Sequence, residues 1–174
     1  SISEDGKFMT FGSTDNKIYQ VRTNVRDGAV NTAAESVGDD TVGFWRFNEG
    51  SGTTAYDATA NSNDGTLVNS PNWVDGKFGK ALKFDGSNEY VSVPDLVSGK
   101  FSEFTAEAWF KLDDYPTSSD DAWMVIGGGV DGEFSLGVVT NKSAFLSVKM
   151  TNSVWYAVYS DTKLELDVWY HIAA

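Results

Sequence analysis

Cysteine is absent from this chain, which excludes disulfides, thiol catalysis and cysteine-held zinc. Histidine occurs once, at His171, with no serine or cysteine partner in a recognisable catalytic arrangement, so a satisfied strand residue is the expectation there. Three prolines stand against 17 glycines, a balance that points to tight turns. Basic residues are scarce as well: 13 Lys and Arg face 25 Asp and Glu, for a formal net charge of −12. That sign argues against a nucleic-acid partner and against an anionic membrane surface, and it permits divalent cations. No apolar run approaches the roughly 18 residues of a membrane helix, so membrane insertion is not expected, and no signal-peptide pattern is present. Nowhere does a long amphipathic helical period appear.

What the chain has is apolar and aromatic bulk. Of its 174 residues 41% are hydrophobic and 14% aromatic, enough for one domain with a real core. The order of the chain suggests three parts: an N-terminal β-hairpin segment at 1–24, a polar linker at 25–40 and a β-sandwich at 41–174. In the first part Phe8–Phe11 and Lys17–Val21 read as strands between turn clusters. In the second, a short helix is expected at Thr32–Ser36.

From Thr41 on, short strands alternate with turn chemistry. Strands are expected at Phe44–Phe47, Ala81–Phe84 and Tyr90–Val93. Phe104, Ala106, Ala108, Phe110 and Leu112 alternate with Thr105, Glu107, Trp109 and Lys111, the period of a half-buried strand. Trp123–Ile126, Phe134–Val139, Ala144–Met150, Val154–Tyr159 and Val168–Ala174 complete the series, with short polar gaps that suit hairpins. Many short strands with glycine-rich turns predict an all-β, antiparallel two-sheet sandwich.

The segment 57–64, DATANSND, offers carboxylates at Asp57 and Asp64 and amide oxygens at Asn61 and Asn63. Asp85, at a strand end, is a fifth candidate. Ca²⁺ takes 6–8 oxygen ligands, and mixed carboxylates, amides and carbonyls suit it. An EF-hand is excluded, because Ser62 stands where that loop needs glycine and Val68 where it needs glutamate. Asx-turns explain the same residues without a cation. The acidic run Asp113–Asp121 reads first as a solvated loop. Among six tryptophans, Trp73, in a Pro-Asn-Trp-Val-Asp-Gly loop, and Trp155 beside Tyr156 are the candidates for exposed ligand contact. Asn141-Lys142-Ser143 fits an N-glycosylation acceptor, a short pattern with many chance matches.

Two resemblances follow from ordered stretches. Residues 3–21, SEDGKFMTFGSTDNKIYQV, resemble one edge of a β-propeller blade, in a single copy; an ordinary hairpin packed on the main domain explains them equally. Val42–Gly52, Asp57–Leu67, Gly79–Gly86, Tyr90–Val93, Phe104–Phe110 and Trp169–Ala174 together resemble the laminin-G-like jelly rolls of the concanavalin-A-like lectin/glucanase superfamily. That resemblance implies two curved antiparallel sheets, binding of carbohydrate or extracellular protein, and commonly a structural Ca²⁺ at one edge. It also implies an extracellular or cell-surface setting. In the family, further strands follow the one resembling Trp169–Ala174. Completion is therefore expected from the Phe8–Val21 hairpin or from a neighbouring chain, a self-association by strand addition. The superfamily's glucanases carry alternating carboxylates on one strand; here Glu107 has Thr105 and Trp109 beside it, so no enzyme is expected.

Overall fold

The computed structural model describes residues 16–20, 41–93, 105–117, 122–128, 134–149 and 153–174. The expected strand Phe8–Phe11 and helix Thr32–Ser36 lie outside these residues. Twelve strands run along the described chain. They are β1 (Asn16–Gln20), β2 (Thr54–Ala55), β3 (Gly65–Val68), β4 (Asn72–Asp75), β5 (Lys80–Asp85) and β6 (Tyr90–Ser92). After them come β7 (Glu107–Leu112), β8 (Ala122–Gly128), β9 (Phe134–Val139), β10 (Ser143–Lys149), β11 (Trp155–Lys163) and β12 (Trp169–Ala173). No helix occurs among the described residues, so none there could cross a membrane.

Every pairing is antiparallel. One sheet has the order β12-β7-β1-β5-β4, a second β11-β10-β9-β8, and a small third β2-β3-β6. The all-β, antiparallel architecture read from the strand pattern is the one observed, in three sheets rather than two, and it is consistent with the jelly roll that the resemblance implies. On β7 the alternation is the expected one, with Ala108, Phe110 and Leu112 buried. Those side chains join Leu82 and Phe84 of β5, Val125 and Ile126 of β8, and Leu136 and Val138 of β9 in one apolar cluster. Residues of the five-stranded and four-stranded sheets thus share a core. Truncating a fully buried member such as Leu82 or Leu136 would cost about 2–5 kcal/mol.

Three local expectations are corrected. Phe44–Phe47 forms no strand among the described residues, where Trp45 makes an isolated bridge to Asp57. Phe44, Trp45 and Phe47 are all buried, which a strand facing one layer cannot arrange, and Phe47 turns the chain at φ 51°. Asn72–Asp75, read as loop, is β4, because β5 supplies a ladder from Asn72↔Lys83 to Asp75↔Lys80. Glu107, expected on the watery side of its strand, is buried. His171 Nε2 lies 3.2 Å from its Oε2, and the His171 ring rests 5.2 Å from that of Trp109.

The central place in the five-stranded sheet belongs to β1. It pairs with β5 through Asn16↔Asp85, Lys17↔Phe84, Ile18↔Lys83 and Tyr19↔Leu82. On its other side it pairs with β7 through Lys17↔Leu112, Ile18↔Lys111, Tyr19↔Phe110 and Gln20↔Trp109. Without it the sheet would be two separate two-stranded ribbons, β4-β5 and β7-β12.

Candidate binding surface

The loop after β2 is built around one carboxylate. Asp57 Oδ1 accepts from the Phe44 and Thr59 amides, each at 2.9 Å. Its Oδ2 accepts from Thr59 Oγ1 at 2.7 Å and from the Asn63 amide at 2.9 Å. Asp64 Oδ1 accepts the Asp57 amide at 2.9 Å. Asn61 Nδ2 donates to the Thr41 and Val42 carbonyls, and Asn63 Nδ2 donates to the same Val42 oxygen at 2.8 Å. The indole of buried Trp45 donates to the Asn63 carbonyl at 2.9 Å.

Four of the five cation candidates, Asp57, Asn61, Asn63 and Asp64, are therefore brought together. Asp85 does other work: its amide donates to Glu89 Oε2 at 2.7 Å and its Oδ1 accepts from Ser87, closing the corner between β5 and β6. A calcium cage needs oxygens turned toward one point. Here both Asp57 oxygens face N–H and O–H donors, and both asparagines turn their Nδ2 groups to carbonyls. As placed, the Asp57 oxygens are engaged by donors within the loop itself. Among the described residues no three His, Cys, Asp or Glu side chains converge as metal ligands would. What the cluster does is pin Thr41–Trp45 to the loop with side chains, beside the Trp45–Asp57 bridge and the bond from the Ala58 amide to the Phe44 carbonyl.

The aromatic candidates divide. Trp73, on β4, is half-buried against the core, and its indole donates to the Gly52 carbonyl at 3.0 Å. Trp155 and Tyr156 open β11, which lies at the edge of its sheet. They are 46% and 55% exposed, and Tyr159 on the same strand is 59% exposed. Strand alternation puts Trp155 and Tyr159 on one face and Tyr156 with exposed Val158 on the other. Cross-strand partners are Lys149 for Trp155, Val148 for Tyr156 and Phe145 for Tyr159, whose ring centroid is 6.3 Å from that of the phenylalanine.

The outer face of the five-stranded sheet holds a second aromatic group that sequence reasoning did not assemble. Trp109 has Lys77 Nζ 4.7 Å from its ring centroid, Phe78 edge-on at 5.8 Å and His171 beside it. Lys111 sits 5.9 Å from the Trp169 ring. The period of β7 put Trp109 and Lys111 on this face, but the contact with Phe78 depends on the β4–β5 turn, which no local pattern shows. In the acidic loop, Asp113 pairs with Lys83 Nζ at 2.7 Å, while residues 118–121 lie outside the described residues.

Comparison with curated proteins and with solved structures finds no match. A laminin G-type family model, described as concanavalin A-like lectin/glucanases superfamily, matches residues 85–174. The match begins at Asp85 and takes in strands from β6 to β12, including the core strands β7, β8 and β9. It covers more than half of the 174 residues, and with the antiparallel sheets just described the conclusion is direct: the chain belongs to the concanavalin A-like lectin/glucanases superfamily.

Proposed function

We propose that this chain is a non-catalytic extracellular binding module that recognises glycan or protein through the aromatic strand β11. One observation carries the reading: Trp155, Tyr156 and Tyr159 stand in water on a single edge strand. Burying a large apolar side chain is worth about 1.5–3 kcal/mol, so leaving Trp155 and Tyr159 exposed on one face of the strand and Tyr156 and Val158 on the other forgoes a substantial stabilisation. The Trp155 and Tyr159 pair on one face is an exposed apolar group of the kind that marks interaction surfaces. Flat aromatic faces stack on the apolar face of a pyranose, and the same rings anchor protein interfaces. The laminin G-like membership supports a binding role of the general kind. The formal charge of −12 favours neutral or basic ligands over anionic ones.

Glycan-array screening of the wild-type chain beside Trp155→Ala and Tyr156→Ala variants tests the reading. Both variants should lose most binding and keep the wild-type melting temperature, because exposed positions contribute within about 0.5 kcal/mol. Trp73→Ala serves as the contrast and should melt lower. Unchanged binding by both β11 variants would remove β11 as the contact.

A second reading is a structural building block completed by strand addition from another segment or chain. What favours it is the position of β1, a distant segment at the centre of a sheet. Size-exclusion chromatography across a concentration range separates the two, since an assembly block associates and a simple receptor module does not.

A further inference from the structure

We propose that the slot between β5 and β7 is a strand-exchange site, and that its partner is residues 16–20 of a second copy of this chain. The inference rests on the building-block reading and specifies its interface. Residues 16–20 enter the slot from far away in sequence: Tyr19 opposes Leu82 and Phe110, more than 60 and 90 residues on. They form a five-residue strand paired on both sides, and the next described residue is Thr41. A connection of 21 residues from Gln20 to Thr41 reaches at most about 70 Å. That is long enough to fill the slot of the same chain or of a neighbour.

Two physical facts favour exchange as copies become concentrated. First, the slot must be filled. Each half, β4-β5 or β7-β12, is a two-stranded ribbon, which is marginal by itself in water. During folding the slot exists only once β5 and β7 are in place, and closing so long a loop is slow, so an open slot is exposed to whatever strand is near. Second, the swap conserves the interactions. Every backbone pairing made within a chain is remade between chains, in the same register, so the balance is set by the effective concentration that the tether imposes. At an effective concentration of order 1 mM, about one chain in a hundred is exchanged near 10 μM and about half near 1 mM. Crowded copies on a surface would sit at the upper end of that range.

The absence of cysteine gives a clean test on the full chain. Ile18 and Lys83 are Cα partners, as are Ile18 and Lys111. A doubly substituted variant, Ile18→Cys with Lys83→Cys, should crosslink within the monomer at about 10 μM when refolded and oxidised with glutathione disulfide. An equimolar mixture of the two single variants, Ile18→Cys and Lys83→Cys, co-refolded, should give a heterodimer joined by a disulfide between the two substituted positions, identified by peptide mass spectrometry. Its yield should rise by more than tenfold between about 10 μM and about 1 mM. Ile18→Cys mixed with Asn141→Cys, on the exposed β9–β10 turn, sets the collisional background. Ile18→Cys with Lys111→Cys repeats the measurement from the β7 side should the Lys83 variant misfold. A crosslink within the monomer but a heterodimer no higher than background at any concentration overturns exchange and leaves completion by the chain's own segment standing. No crosslink with either Lys83 or Lys111 partner overturns the slot, and the building-block reading with it.

Discussion

Asp57 accepts four hydrogen bonds with one carboxylate, and three of the donors are backbone amides. Replacing it by alanine strands those donors in a partly buried corner, where each unmet group costs about 1–3 kcal/mol. Asp57→Ala should therefore lower the unfolding free energy by at least about 2 kcal/mol in urea titration, whereas Asp57→Asn, which keeps one acceptor, should lose less. The same network makes a statement about calcium. Chelator-treated wild type should give no heat and no rise in melting temperature on Ca²⁺ addition, since the cation would have to displace these donors. A clear rise would mean that the loop rebuilds itself around the ion. Gly137 is the other telling residue. An added Cβ would press on the Trp123 carbonyl and come within 2.9 Å of the Phe145 ring. Gly137 sits between β8 and β10, opposite Met124 and Phe145, beside the register shift in β8. A backbone oxygen cannot swing away as a side-chain tip can, so Gly137→Ala should destabilise by about 1–3 kcal/mol or more, read by thermal melting.

At the scale of elements, legibility follows from where each strand gets its partners. Strand β7 could be read directly, because one face meets the core and period two appears in the residues themselves. Strand β4 could not: its ends are exposed and its middle half-buried, so no alternation reaches the sequence, and β5 alone makes it a strand. Phe44–Phe47 misled for the opposite reason. Its aromatic residues Phe44, Trp45 and Phe47 are all buried, and side-chain bonds to Asp57 reinforce the single bridge from Trp45. The cation candidates were found as a group because asparagine and aspartate cluster in sequence, but their orientation is a matter of hydrogen-bond geometry that composition does not carry. On the β4–β5 hairpin, Lys80 Nζ lies 2.7 Å from Asp75 Oδ1, across from it in the register. The hydrogen bond from Lys80, and then its charge, hold the Asp75 carboxyl below its ordinary 3.8. A carboxyl lowered by folding contributes at pH above its unfolded value, and the contribution is lost as pH falls through the lower folded value. Both groups are exposed, so the expected readout is local: NMR titration should place the Asp75 midpoint below 3.8, and Lys80→Ala should move it back up.

For the molecule as a whole, the two large sheets differ in how they are held. The sheet β11-β10-β9-β8 consists of chain neighbours joined in sequence, so its pairings close short loops. The sheet β12-β7-β1-β5-β4 depends on a strand from the far end of the chain for its continuity. Loop-closure entropy therefore weighs on the second sheet more than on the first. Proline at the middle of β1 isolates this difference. Each amide of a strand paired on both sides belongs to one ladder or the other, and proline has none to give. Ile18→Pro should cost about 3 kcal/mol or more if the slot is held as described. Hydrogen exchange should show where that cost falls. Amides of β5 and β7 should exchange many-fold faster than in the wild type, while those of β9 and β10 keep their protection until global unfolding. Uniform loss of protection in both sheets would mean that the shared core of Leu82, Phe110, Ile126 and Leu136 couples them too tightly for β1 to leave alone. Unchanged protection in β5 and β7 would mean that residues 16–20 do not hold the sheet together, and the expectation of completion from the N-terminal segment would fall with it.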